Sequence, residues 1–352
     1  MTANSYLYKG ALSLPSQLPL LTKKQTHQHH LSHIKTMALS EPTPTTLPTS
    51  TQEIIVVSIS DLHTIPLSKV HIPLGDILIV AGDLSEGRPA QLTQRLSELH
   101  ALPHTIKIVI GGNHDRALDA KCDARDAAIY DDLYERQQCR AAFREAKKSG
   151  IIYLEDESTD VTITGRTFKI FGSPKSLATS TNTAFGYSEE DSFSSWEIVP
   201  PDVDILVTHG PPAGYLSDDR NGCVELRKAL WRVRPMLHVF GHVHSSYGTI
   251  TLKYDDAQKE SEAQNLRRIS EVCDRQKLLQ AASGGRYIPP HLRSKQLAGS
   301  GATKSERVPS ILPARDPLLK TPILEQGRTI LINAAVQTSD TPRAAIVAKI
   351  PG

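Results

Sequence analysis

Five short clusters of acidic, amide and imidazole side chains lie along the first two thirds of this chain. They are Asp61-Leu62-His63, Gly82-Asp83, Gly112-Asn113-His114-Asp115, His209-Gly210 and Gly241-His242-Val243-His244. Together they offer carboxylates, an amide oxygen and imidazoles, but no thiolate. That donor set suits two adjacent divalent cations sharing one carboxylate, and it points to manganese, iron or zinc rather than to a purely structural zinc site. Each cluster alone says little, because a D-x-H or G-D pair often arises by chance and a lone buried histidine is more often a satisfied core residue than a ligand. Their order and their placement carry the inference.

Each cluster comes directly after a short apolar, β-branched run, at residues 54–59, 76–80, 106–110, 205–208 and 237–240. Such runs mark strands buried on both faces. In open α/β sheets, ligands bind beyond the carboxyl ends of the strands, which is where all five clusters fall. Between the second and third runs, Leu92, Leu96 and Leu99 recur at helical spacing ahead of Pro103. Residues 124–149 read as a charged helix closed by Gly150, and a second helix carries Cys223, Leu226, Leu230 and Val233 on one stripe before Pro235. Strands are expected at 151–154, 161–164, 168–171, 249–252, 329–332 and 344–350. Strands interleaved with helices in this way predict a layered α/β sandwich.

Composition bounds the rest. The chain has 352 residues, 39% hydrophobic and 5% aromatic, so part of it is expected to lie outside the packed domain. A formal charge of +2 gives no general reason to expect nucleic acid or a membrane surface as partner. Cys122, Cys139, Cys223 and Cys273 are scattered and form no C-x-x-C pair, which argues against a disulfide framework or zinc ribbon and favours a reduced, cytoplasmic setting. No apolar run is long enough to span a bilayer. The apolar-leaning stretch 11–21 is a poor signal peptide, and the acid-free first forty residues carry lysine but no arginine, a faint organelle-targeting signature. Residues 1–52 are rich in Ser, Thr, Pro, Gln and His, a composition that predicts a disordered tail, with His27, His29, His30 and His33 as a solvated cluster. The domain is then expected over 53–352, interrupted at about 254–327 by a mostly disordered insertion between two late strands, which begins with a charged piece that suits a helix and which closure entropy tolerates well.

D-x-H, G-D, G-N-H-D, H-G and G-H-x-H in this order resemble the signature set of the calcineurin-like metallophosphoesterases. The resemblance covers about residues 54–252 and 328–350. Within that superfamily the chain is most similar to the metallophosphoesterase-domain-containing branch related to class III cyclic-nucleotide phosphodiesterases. The likeness shows in Gly172-Ser-Pro, in the run from Val203 to Pro212, in Gly222-Cys-Val-Glu-Leu and in Ile332-Asn-Ala-Ala. It implies a four-layer α-β-β-α sandwich with mixed sheets. It also implies a first cation on Asp61, His63 and His244, a second on Asn113, His209 and His242, and Asp83 as the bridge. His114 would contact the phosphate and protonate the leaving oxygen, with Asp115 orienting it. Two divalent cations, Mn2+ foremost and Fe or Zn as alternatives, would activate a water for attack on a small phosphoester.

The chain also departs from the family in places. Gly82-Asp83-Leu84-Ser85 lacks the arginine of the serine/threonine protein phosphatase motif G-D-x-x-D-R-G, so that activity is not expected. Residues 175–183 are rich in Ser and Thr where the family carries an aromatic-rich loop that walls the substrate pocket. Hydrolysis of phosphodiesters such as cyclic nucleotides leads the functional expectations. A catalytically weak binding or scaffold module on the same fold, and a nuclease, are the alternatives. In the insertion, Gly285-Arg-Tyr-Ile-Pro-Pro-His-Leu-Arg293 resembles a short motif of DEAD-box helicase tails, which sets a protein or RNA partner at 285–293 beside the plainer reading of a solvated linker.

Overall fold

The computed structural model describes residues 52–123, 133–178, 183–218, 221–282 and 327–352. The expected N-terminal tail, its histidine cluster and the 285–293 motif lie outside them. In chain order, short 3₁₀ turns aside, the elements are β1 (Glu53–Ile59), β2 (Ile77–Ala81), α1 (Pro89–His100), β3 (Ile106–Ile110), α2 (Leu133–Glu145), β4 (Ile151–Leu154), β5 (Glu157–Ile163), β6 (Arg166–Ser173), β7 (Ser176–Leu177) and β8 (Gly186–Tyr187). They continue with α3 (Ser192–Glu197), β9 (Ile205–Thr208), α4 (Val224–Val233), β10 (Leu237–Phe240), β11 (Gly248–Leu252), α5 (Asp256–Ala282), β12 (Thr329–Asn333) and β13 (Ile346–Pro351).

Two mixed sheets face each other, as the resemblance implied. One has the order β13-β1-β2-β3-β4, parallel from β1 to β4 with β13 antiparallel at its edge. The other runs β11-β12-β10-β9-β6-β5, with β12, β10, β9 and β6 parallel and β11 and β5 antiparallel at the two edges. The uninterrupted apolar runs have a simple cause: successive side chains leave opposite faces of a strand, and here both faces are covered. In β2, Ile77, Ile79 and Ala81 enter the layer between the sheets with Val56, Ile108, Ile205, Val207 and Ile332. Leu78 and Val80 face the other way, into a layer shared with Leu92, Leu96 and Leu99 of α1 and Cys139 and Phe143 of α2. On the second sheet Leu206 and Phe171 pack under Leu226, Ala229 and Val233 of α4 and Trp196 of α3. The result is four layers, α-β-β-α.

Helix ends are where local chemistry requires them. Pro89 opens α1, and Gly150 adopts φ 78 after the turn that ends the α2 region. The Cys223 Sγ accepts from Leu226 N at 3.3 Å at the start of α4, and Arg234 takes φ 53 at its end, before Pro235. The structure exceeds the sequence expectation in two places. The strand expected at 161–164 begins at Glu157, because β5 is a half-exposed edge strand without an apolar run. The charged piece after residue 254 is one helix of 27 residues, α5, with no continuous apolar stripe to announce it. Leu252 of β11 pairs with Thr329 of β12, so residues 253–328 leave and rejoin the sheet at neighbouring points.

Candidate metal centre

The five clusters converge where the carboxyl ends of β1, β2, β3, β9 and β10 meet, and the backbone there is strained. Asp61, His63, Asp83 and His242 all have φ between 47 and 68, a left-handed region that non-glycine residues seldom adopt and that costs on the order of 1–3 kcal/mol each. Cross-strand bonds hold the turns in place: Asp61 N donates to Gly82 O at 3.0 Å, and His63 N to Asp83 O at 2.9 Å. The flanking glycines are steric requirements. A Cβ on Gly112 would overlap the Asp83 and His209 side chains, and one on Gly241 would overlap Asp61. Gly112→Ala is therefore expected to leave the protein folded but to weaken cation binding at least tenfold by displacing Asp83, as read by a calorimetric titration with Mn2+.

All seven expected ligands meet in one unbroken chain of contacts. Asp61 Oδ1 lies 3.1 Å from His244 Nε2, which lies 3.3 Å from His63 Nε2. The Nε2 of His63 is 3.6 Å from Asp83 Oδ2, and that same oxygen is 3.4 Å from His209 Nε2. On the far side, Asn113 Oδ1 sits 2.9 Å from His209 Nε2 and 2.8 Å from His242 Nδ1. Asp83 stands at the middle, with three side chains on either hand. The grouping implied by the resemblance thus appears in space, with Asp83 Oδ2 touching both sets. Further bonds behind the ligands aim them: His209 Nδ1 is 2.9 Å from Ala81 O, and both Asp61 oxygens accept from His242 N.

The electrostatics fit a cation pair. Asp61 and Asp83 are almost completely buried, and among the described residues their ion-pair partners are histidines only. Burial opposes their ionisation, yet His244 and His209 at Asp61, and His209 and His63 at Asp83, outweigh it and hold both carboxyls below the usual range. Burial likewise opposes charging of His209, but Asp83 and Asp61 prevail and raise it to about 9. Burial and the neighbouring His209 press His242 down to about 4, and burial lowers His63. Buried carboxylates ringed by imidazoles, with His209 and His244 drawn toward their charged forms, make a donor-rich cradle that favours positive charge inside it. The His63 and His244 nitrogens confronting each other at 3.3 Å need a proton or cation between them. Imidazole nitrogen, carboxylate and amide oxygen are donors that Mn2+, Fe2+ and Zn2+ accept.

His114 and Asp115 sit differently from each other. The His114 side chain is 44% exposed at the mouth of the site, its ring edge-on to His63 with centroids 4.6 Å apart. Its backbone N donates to Asp83 Oδ1 at 2.9 Å. Asp115 does not take the orienting role expected of it. Its two oxygens are engaged by Leu84 N, Ser85 N, Ser85 Oγ and Gly112 N, all at 2.9–3.0 Å, so it braces the turn that carries Asp83. Burial and the nearby Asp83 charge push its carboxyl up to about 7. The carboxylate against the His114 ring is Glu86, whose Oε2 lies 3.1 Å from Nδ1. Glu86 Oε1 also reaches within 2.9 Å of His63 Nδ1, a close ion-pair contact without hydrogen-bond alignment. Glu86 is not among the residues expected from sequence. Its one signal there is an acidic side chain three positions after the bridging Asp83, next to Gly87 at φ 90.

Comparison with known proteins agrees with this geometry. The family profile for calcineurin-like phosphoesterases matches residues 56–246. The chain is 35% identical over 208 residues to metallophosphoesterase domain-containing protein 1 of Homo sapiens, covering 55% of this chain and 61% of that protein. It is 39% identical over 212 residues to a protein of Emericella nidulans called probable rhamnogalacturonate lyase C, covering 59% of this chain but 19% of that protein. The chain thus spans less than two thirds of either relative. A solved phosphopantetheinyl hydrolase of Mycobacterium tuberculosis aligns with 58% of this chain and 86% of its own at 20% identity and a TM-score of 0.37, too distant to bear on activity. No helix among the described residues is long and apolar enough to cross a membrane. With the signature positions gathered at the strand ends inside the matched region, the chain belongs to the calcineurin-like phosphoesterases.

Proposed function

We propose that this protein hydrolyses phosphodiesters, cyclic nucleotides foremost, at a two-cation centre held by Asp61, His63, Asp83, Asn113, His209, His242 and His244, with Mn2+ as the preferred ion. The observation that carries the proposal is the seven-residue chain of contacts centred on Asp83 Oδ2. Bound there, a pair of divalent cations supplies Lewis acidity toward the phosphoryl oxygens and an acidified water as nucleophile. The protein's own residues do the rest. His114 has Nδ1 committed to Glu86, which leaves Nε2 to face the substrate. Glu86 fixes the ring, as an orienting carboxylate does for a catalytic histidine. From that position His114 delivers a proton to the departing oxygen. Asp115 keeps the turns of Asp83 and Gly112 rigid, so the ligands are preorganised. The buried thiols of Cys122, Cys139 and Cys223 suit a reducing, intracellular setting.

Hydrolysis of bis-p-nitrophenyl phosphate, cyclic AMP and a DNA hairpin, measured with added Mn2+ and with EDTA as control, tests this reading. EDTA-sensitive cleavage of the first two and not of the hairpin is expected. Cleavage of the hairpin would turn the proposal toward a nuclease, and no EDTA-sensitive cleavage at all would favour a binding module.

A further inference from the structure

The insertion helix α5 is seated on the domain through one buried carboxylate. Its neighbours on the helix are largely exposed, but Glu262 is only 6% exposed. Burying a carboxylate is costly unless its oxygens are fully engaged. Here Arg227 of α4, 2% exposed, donates to Glu262 through both Nε and Nη2, and the Tyr215 hydroxyl donates to Glu262 Oε2 at 2.6 Å. The same guanidinium sends Nη1 to Ala213 O at 2.7 Å and lies 4.1 Å above the Tyr215 ring. Glu262 and Arg227 therefore clamp the segment that leads away from the ligand His209.

That segment reaches the other ligands through a single amide. Leu216, next to Tyr215, is held at φ 48, and its carbonyl accepts from Asn333 Nδ2 at 3.1 Å. Asn333 Nδ2 also donates to Val243 O at 3.0 Å, between His242 and His244. A path of packed, directional contacts thus runs from the insertion helix to the turn that aims two of the seven ligands.

We propose that Glu262 is a positioning residue for the metal centre, acting through Arg227 and Tyr215 on the 211–217 loop and through Asn333 on the His242–His244 turn. The proposal rests on the two-cation reading of the seven-ligand site. It makes the insertion part of the apparatus that builds the site, through its first helical turns.

Glu262→Gln keeps the shape and an acceptor while removing the charge. Val161→Ala, on the edge strand β5, serves as a control that loosens the core away from the site. Mn2+ affinity by calorimetry, at a temperature well below melting, is read beside the melting temperature of each metal-free protein. The expected result is about a tenfold loss of Mn2+ affinity in Glu262→Gln, the scale of outer-layer effects on metal sites, with turnover recovering in excess Mn2+ and Val161→Ala binding as wild type does. A lowered melting temperature in Glu262→Gln with unchanged Mn2+ affinity would overturn the proposal. Should Glu262→Gln fail to fold, Arg227→Lys keeps the charge but loses the two-pronged contact, and the same affinity readout applies. Failure of the underlying reading looks different: wild type itself would bind no Mn2+.

Discussion

Asp83→Ala is expected to release both cations and to lower hydrolysis by about a thousandfold or more, since cations of this kind supply several kcal/mol of transition-state stabilisation. Asp83 Oδ2 lies between imidazoles of both expected ligand sets, His63 Nε2 at 3.6 Å and His209 Nε2 at 3.4 Å. Its loss would leave three side chains on each side with nothing to hold two like charges close together. Metal analysis after gel filtration checks the first expectation. The second check is thermal: Mn2+ should raise the melting temperature of wild type by mass action on the folded state and leave the variant unmoved. A variant that retains two ions would contradict the bridging role.

His114→Ala is expected to behave in the opposite manner, with turnover falling by about 10²–10⁴, the usual scale for general acid catalysis, while metal content stays near that of wild type. The reason is positional. His114 meets Glu86 and the edge of the His63 ring, outside the chain of ligand contacts, and it is the member of the cluster most open to solvent. The loss should depend on the leaving group. A p-nitrophenolate leaves without a proton, so bis-p-nitrophenyl phosphate should be less affected than cyclic AMP, whose alkoxide needs one. Equal losses on the two substrates, or depletion of metal, would remove His114 from the acid role and place it among the structural supports.

Much of this site is legible in the sequence, because its residues occupy the most regular part of the chain. A buried parallel strand must be apolar on both faces, so β1, β2, β3, β9 and β10 advertise themselves, and the polar residue that ends each run has only the carboxyl edge of the sheet to occupy. Strand register therefore brings the expected ligands together. Side-chain direction around a turn is not legible in the same way. Adjacency in Asn113-His114-Asp115 suggests that Asp115 orients His114, but the turn carries the Asp115 carboxylate back onto the amides of Leu84, Ser85 and Gly112. Glu86, far from His114 in sequence, arrives instead, and no period or run of residues reports such a tertiary meeting. The positive φ of Asp61, His63, Asp83 and His242 is equally silent in sequence, for Asp and His do not announce left-handed backbone as glycine does. The start of β5 and the length of α5 are hidden for a related reason: an exposed edge strand and a helix without an apolar stripe lack the pattern that marks buried elements.

On the proposal that seven side chains from five strand ends hold two cations with Asp83 between them, anomalous diffraction from crystals of the Mn2+-loaded protein is the most direct test. Two peaks are predicted, one beside Asp61, His63 and His244, the other beside Asn113, His209 and His242, with Asp83 bonded to both. A single peak, or two peaks that leave Asp83 uncoordinated, would contradict it.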